Sequence, residues 1–190
     1  FIDKVIVSTD DKEISQVAIK YGASVPFVRP RELSDDFTGT IPVVMHTINW
    51  MESNGCEIES VCCLYATAPL LSSNLLTSSY KKFIKNKADY CFSVTSFPFP
   101  IQRAVKMVND RVVLFDPEYY YSRSQDLEDA FHDAGQFYWG NKQSFMASNP
   151  LLLDNVVSYV LPRYLVQDID TLEDWKMAEL MYQVLQQMDK

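Results

Sequence analysis

Val5-Ile6-Val7-Ser8-Thr9-Asp10-Asp11 is the stretch from which the fold is read. A short β-branched apolar run ends in Ser, Thr and two Asp, residue types that favour the start of a helix. Ile14, Val17, Ala18 and Tyr21 then recur at helical spacing, and Gly22 stops the run. Val25 to Val28 reads as the next strand. Strand, helix and strand in immediate succession make a βαβ unit, which implies parallel pairing and a right-handed crossover.

Working outward, Arg29 to Thr40 is a polar loop at the carboxyl end of that second strand, where open α/β sheets bind ligands. Arg29 is either a ligand contact or a solvated charge, and Thr40 either touches ligand or caps the next helix. Val43, Val44, Thr47, Ile48 and Met51 line one face of that helix, which Asn54-Gly55 ends. Val61 to Ala66 is the most apolar strand and is expected to be central. It runs into Thr67-Ala68-Pro69, where Thr67 either bonds a substrate or shapes the turn. A helix follows from Ser72-Ser73-Asn74 to about Lys85, then a buried strand over Ala88 to Thr95.

From Phe97 the pattern changes. Ala104 to Val108 and Val112 to Phe115 alternate around Asn109-Asp110-Arg111, a β-hairpin. Ala134 to Gly140 is a short strand with three neighbouring aromatics, more than one small core needs. Asn141 to Ser148 reads as a helix, Val156 to Leu161 as a strand, and the chain ends in a long helix bearing Trp175, Ala178, Met181, Tyr182 and Leu185.

Just ahead of that helix, Asp168 and Asp170 stand two residues apart. In an extended chain they share a face and attract a hard divalent cation, and Mg²⁺ is commonly held by one or two carboxylates plus substrate phosphates. The alternative is capping: Thr171 and Asp174 resemble a capping box, and Asp170 itself suits an N-cap.

Composition bounds the classes of function. The chain has 190 residues, 47% hydrophobic, with a formal net charge of -8. That suits one globular domain and disfavours nucleic acid and anionic membranes as partners. Cys56, Cys62, Cys63 and Cys91 show no zinc spacing, and adjacent Cys62 and Cys63 face opposite sides of a strand. They read as reduced thiols of a cytoplasmic protein. Phe1 leads straight into a core strand, so the sequence reads as N-terminally truncated.

Taken in order, four stretches resemble the acylneuraminate cytidylyltransferases, which make CMP-activated nonulosonic acids. They are Val5 to Asp11, Arg29-Pro30-Arg31-Glu32-Leu33, Ala66-Thr67-Ala68-Pro69-Leu70 and Asp168-Ile169-Asp170-Thr171-Leu172-Glu173-Asp174. Tyr65-Ala66 before Thr67, Phe97 to Ala104, Ser122 to Glu128 and His132 to Trp139 are similar to the pseudaminic acid branch. The sialic acid enzymes usually carry Gln-Pro where Tyr65-Ala66 stands, so the departure favours a more deoxygenated sugar acid.

The resemblance implies a doubly wound, mostly parallel α/β sheet of the nucleotide-diphospho-sugar transferase type. It implies one nucleotidyltransferase domain over residues 1–190, with 97–140 as a dimerisation and sugar-site lobe. The family's opening strand and Ala-Arg-x-Gly-Ser-Lys phosphate loop are expected ahead of Phe1, about 30 residues or more. The reaction implied is CTP plus a nonulosonic acid giving the CMP-sugar and pyrophosphate, for surface glycan or flagellin glycosylation, by a homodimer. Carried over by motif, Asp168 and Asp170 hold Mg²⁺ and serve catalysis, Arg29 and Thr40 contact the nucleotide, and Thr67, Gln102, Arg103, Arg123 and Tyr138 contact the sugar acid. His132 receives no certain role, and His46 reads as structural. The competing readings are another sugar nucleotidyltransferase, acting on a 2-keto-3-deoxy acid or a sugar 1-phosphate, and a truncated, non-catalytic dimerising module.

Overall fold

The computed structural model describes residues 1–148 and 155–188. Its helices are α1 (Lys12–Lys20), α2 (Thr40–Ser53), α3 (Ser73–Asn86), α4 (Lys142–Met146) and α5 (Leu172–Met188). Its strands are β1 (Ser60–Leu64), β2 (Tyr90–Ser96), β3 (Val105–Val108), β4 (Arg111–Leu114), β5 (Phe131–Asn141) and β6 (Val156–Val160).

The helix ends follow local chemistry. Asp11 caps α1 by accepting from the Ile14 amide at 2.8 Å, and Gly22 takes φ +91 just past its end. The cap of α2 is Gly39, with no side-chain bond, so Thr40 is the first helical residue rather than the cap. A side-chain cap there would satisfy one of four orphan amides; this helix start leaves that task unfilled by its own cap. Asn141 caps α4 through the Ser144 amide. Of the expected first βαβ unit the structure keeps the helix and one isolated parallel bridge, Ile6 to Ser24; residues 25–28, read as a strand, form none.

Four strands form one sheet in the order β1-β5-β2-β6, and β3 and β4 form a second. Amide-to-carbonyl bonds fix the directions. Asp89 to Asn155 and Leu161 to Val94 advance together, so β2 and β6 are parallel. Asn141 to Asp89 and Phe97 to Ala130 run oppositely, as do Tyr65 to Gln136 and Lys142 to Glu59. β5 is therefore antiparallel to both neighbours, and the α/β sheet is mixed. The strand expected to be central, β1, stands at one end of this order, with Leu64 exposed. The buried strand is β2, where every residue from Tyr90 to Thr95 is buried because it is flanked on both sides.

The chain divides into two compact units, one of Phe1–Cys63, Phe83–Tyr90 and Trp139–Val156, the other of Leu64–Lys82, Cys91–Tyr138 and Val157–Lys190. The first is centred on Val44, Ile48, Tyr90 and Phe145, with Ile58, Val61, Cys63, Met146 and Val156 packed against them. Tyr90 and Phe145 meet edge to face at 5.1 Å. Gly140 permits that packing: a Cβ there would stand 2.6 Å from Phe145 Cε2 and 2.7 Å from the Tyr90 ring. Truncating Phe145 to Ala would cost about 3–5 kcal/mol.

The second unit buries Phe92, Phe137 and Tyr138 and presents the β3–β4 hairpin at its surface. Asn109 and Asp110 take φ +48 and +60, the two left-handed residues of a type I′ turn, and the register pairs Val105 with Leu114 and Met107 with Val112. Cys91 is buried, the other three cysteines are half-buried, and none of the four forms a disulfide among the described residues. Among the described residues no helix is long and apolar enough to cross a membrane.

Candidate active site

The polar loop of residues 29–40 is braced by its own side chains. The Arg29 amide donates to Thr9 O, and its Nε donates to Ser34 Oγ at 3.0 Å, while Nη2 lies 3.8 Å from Asp10 Oδ1. Ser34 in turn donates to Pro30 O. Asp35 accepts from the Phe37 and Thr38 amides at 2.9 and 2.7 Å. Thr38, through its side chain and its amide, and the Phe37 amide hold the Asp35 carboxyl below its ordinary value. The product is a cavity of about 220 Å³ lined by Arg29, Thr38, Gly39, Thr40, Val43, Val44 and Cys63. It combines a half-buried cation, the start of α2 with no side-chain cap, and an apolar wall. Burial pushes the Cys63 thiol up to about 11, so the wall is uncharged at neutral pH. Such a combination has the chemistry suited to an anionic ligand with a flat apolar portion. Of the residues singled out in the sequence, this cavity brings together Arg29 and Thr40.

In the other unit, Asp168 and Asp170 are both exposed, just ahead of α5. The capping question is settled by reciprocal bonds. The Asp174 amide donates to Thr171 Oγ1 at 3.2 Å, and the Thr171 amide donates to Asp174 Oδ2 at 2.9 Å. Asp174 also accepts from the Thr171 hydroxyl, the Asp170 amide and Gln167 Nε2, and the Thr171 hydroxyl above all holds its carboxyl below the ordinary value. Asp170 is therefore not the cap. Among the described residues its carboxylate meets no donor, and that of Asp168 accepts only from the adjacent Ile169 amide at 3.1 Å. No cluster of three or more His, Cys, Asp or Glu side chains occurs among the described residues. Two exposed carboxylates, one unengaged and one with a single amide bond, have the donor chemistry that suits a magnesium ion keeping waters and substrate phosphate as its other ligands.

The candidate sugar contacts lie in the same unit. Thr67 is half-buried in the turn after β1, and among the described residues its hydroxyl has no hydrogen bond. Gln102 donates to Glu128 O at 3.0 Å, while its Oε1 is buried with no donor among the described residues. Arg103 donates to Ser124 Oγ at 3.3 Å. Arg123 grips Asp126 through two bonds of 2.8 and 3.1 Å, and its side chain remains 71% exposed. Tyr138 is buried, stacked on Phe92 at 5.9 Å and tilted against Tyr65 at 5.2 Å. Its hydroxyl donates to Asp133 Oδ2 at 2.7 Å. Burial first, and then Asp133, raise its phenol far above the ordinary value, so it stays protonated.

His132 packs on Phe97 and bonds the Asp133 carbonyl through Nδ1, and His46 packs edge-on against Phe27, in keeping with a structural part. Asp133 is the residue that reading the sequence missed. Its only signal was its place in His132-Asp133-Ala134-Gly135, a polar pair before a glycine inside a strand.

The profile of the cytidylyltransferase family matches residues 1–180. The chain belongs to the cytidylyltransferase family. It is thus a nucleotidyltransferase that uses CTP. It is 45% identical to the pseudaminic acid cytidylyltransferase of Campylobacter jejuni, over 96% of this chain and 79% of that one. A two-function Helicobacter pylori protein, described as a pseudaminic acid cytidylyltransferase and UDP-2,4-diacetamido-2,4,6-trideoxy-beta-L-altropyranose hydrolase, is 31% identical over 95% of this chain and 35% of its own length. A solved CMP:2-keto-3-deoxy-manno-octonic acid synthetase, complexed with CTP, superposes with a TM-score of 0.64 over 98% of this chain and 82% of that chain, at 12% identity. That last likeness is one of fold: the cytidylyltransferase has the α/β architecture of the nucleotide-diphospho-sugar transferase type.

Proposed function

We propose that this cytidylyltransferase joins CMP from CTP to the anomeric hydroxyl of a nonulosonic acid, pseudaminic acid before others, and releases pyrophosphate, to supply surface glycan or flagellin glycosylation. The observation that carries the reading is the 45% identity to the Campylobacter jejuni enzyme along nearly the whole chain.

Within the reading, Arg29 and Thr40 contact the nucleotide. The cavity at the start of α2 supports this, because it offers a braced cation beside an apolar wall. Arg29 is held before any ligand arrives, so little side-chain entropy is lost on binding. Asp168 and Asp170 hold Mg²⁺. When bound there, such an ion would supply charge neutralisation at the phosphate and a lowered pKa at the attacking hydroxyl. Because Asp174 and Thr171 perform the capping, both carboxylates are left for that task.

Thr67 and the Gln102 amide oxygen offer an unengaged hydroxyl and a buried, unmatched acceptor. Such an acceptor suits an N–H of an acylamino sugar. Arg103 and Arg123 supply positive charge for the sugar carboxylate, and Tyr138 acts through Asp133, whose carboxylate is exposed. Residues 97–140 form the dimerisation and sugar-site lobe of a homodimer. The apolar face of the hairpin, with Val105, Met107 and Val112 exposed, supports an interface there.

The test is pyrophosphate release from CTP with a panel of sugar acids and sugar 1-phosphates. Pseudaminic acid is expected to give the highest kcat/KM; turnover with a sugar 1-phosphate alone defeats the reading. Asp170→Asn should lower kcat by about 10²–10³-fold. Its melting temperature should barely move, because an exposed, unengaged carboxylate contributes within about 0.5 kcal/mol to stability.

A further inference from the structure

The least regular point of β5 is Gly135, at φ +61. The amides of the next two residues, Gln136 and Phe137, both donate to the Ser93 hydroxyl at 3.2 Å. A side chain of β2 thus takes two strand amides, the mark of a local break in the ladder. Asp133 braces the other side of the break. Its Oδ1 accepts from the Gly135 amide at 2.9 Å, and its Oδ2 accepts from the Tyr138 hydroxyl at 2.7 Å. Asp168 lies against the bare side of Gly135: a Cβ there would stand 3.5 Å from Asp168 Oδ2 and 3.7 Å from its carboxyl carbon. With only the neighbouring Ile169 amide to hold it among the described residues, that carboxylate is placed by what it packs against.

We propose that Asp133 is a positioning residue for Asp168, holding the Gly135 kink whose open face seats the Asp168 carboxylate. The proposal rests on Asp168 being a metal ligand. Groups one layer behind a ligand orient it, and their loss costs about 10- to 100-fold in metal affinity. The same carboxylate anchors Tyr138, so Asp133 links the buried aromatic stack to the acidic pair.

The experiment measures Mn²⁺ affinity by electron paramagnetic resonance of the free ion, with CTP present and no sugar acid, so that no turnover is needed. Melting temperatures are recorded alongside. Asp133→Ala is expected to weaken Mn²⁺ binding by about 10- to 100-fold. Asp133→Asn should recover most of it, since one oxygen still accepts from the Gly135 amide. Gly135→Ala should weaken binding as well, because a side chain strains the backbone at φ +61 and so shifts the kink on which Asp168 rests. Tyr138→Phe should keep Mn²⁺ affinity, because the Asp133–Gly135 bond survives it.

If Asp133 merely satisfies the buried phenol, Asp133→Ala and Tyr138→Phe will lower the melting temperature together and leave Mn²⁺ affinity untouched; that result overturns the proposal. Asp168→Asn separates the two layers of reasoning. Lost affinity in Asp168→Asn beside retained affinity in Asp133→Ala rejects positioning alone. Retained affinity in Asp168→Asn rejects the metal reading and the proposal with it.

Discussion

Arg29 and Arg123 both stand just ahead of a short 3-10 turn, at Arg31–Leu33 and Ser124–Asp126, and the protein treats them differently. Arg29 is half-buried, tied to Ser34 and near Asp10, and lines a cavity with Thr40. Arg123 is exposed and spends its guanidinium on Asp126, three residues on. The loop of residues 29–40 uses Ser34 and Asp35 as internal braces, which leaves its cation facing a concavity. In the 101–128 region the donors are engaged by near neighbours and most of the apolar side chains face outward: Gln102 Nε2 goes to Glu128, Arg103 to Ser124 and Arg123 to Asp126, while Gln102 Oε1 stays unmatched. The difference teaches that a braced cation can be left facing a cavity, whereas an exposed one is taken up by its neighbours and would have to exchange partners to engage a ligand.

The comparison breaks most visibly at Arg29. Arg29→Ala should raise the KM for CTP by about 10- to 100-fold, the loss of a charge-assisted hydrogen bond of about 1.5–3 kcal/mol. Arg29→Lys should not restore it, because a single ammonium cannot hold Ser34 through Nε and face the cavity together. An unchanged CTP KM would make Arg29 a structural brace only.

The outward face of the hairpin comes next. Met107→Glu with Val112→Glu charges both members of one cross-strand pair. Sedimentation should show the proposed homodimer in the wild type and a monomer in the variant, with its far-ultraviolet spectrum intact; an unchanged oligomeric state would refute an interface at the hairpin. Arg123→Ala should raise the sugar-acid KM by about fivefold or less, since an exposed ion pair is worth about 0–1 kcal/mol. An effect on CTP instead would erase the contrast between the two arginines.

The smallest effect concerns acid. Asp35 has its carboxyl held below the ordinary value of 3.8. A depressed carboxylate stabilises the fold above its unfolded value and ceases to do so as pH falls through its folded one. The stability gap between wild type and Asp35→Asn, read by urea titration, should therefore be full at neutral pH and vanish as the solution is acidified below 3.8. A gap independent of pH would mean that Asp35 does not brace the loop as a carboxylate.

Much of this was legible in the sequence where the cause is local. Asp11 before an apolar period of 3.6, Gly22 after it, Asn109-Asp110 between alternating runs, and the Thr171–Asp174 reciprocity each depend on residues within a turn of one another. The order of family motifs also pointed to the cytidylyltransferases before any coordinates. The capping alternative for Thr40 fails although Thr is a good capping residue, because the chain turns into the helix one residue earlier, at Gly39. β1 was misplaced because apolar content reports burial of faces and says little about which strand has two neighbours.

The sequence by itself determined the α/β class, most helix limits, the hairpin turn and the pair of carboxylates ahead of the last helix. Only tertiary structure decided that β5 runs antiparallel between β1 and β2, that Tyr138 commits its hydroxyl to Asp133, and that Asp168 rests on the open face of Gly135. The physical reason is range. Capping and periodicity act over three or four residues, whereas Gly135 and Asp168 meet across more than thirty residues of chain, and nothing in either segment alone encodes the approach.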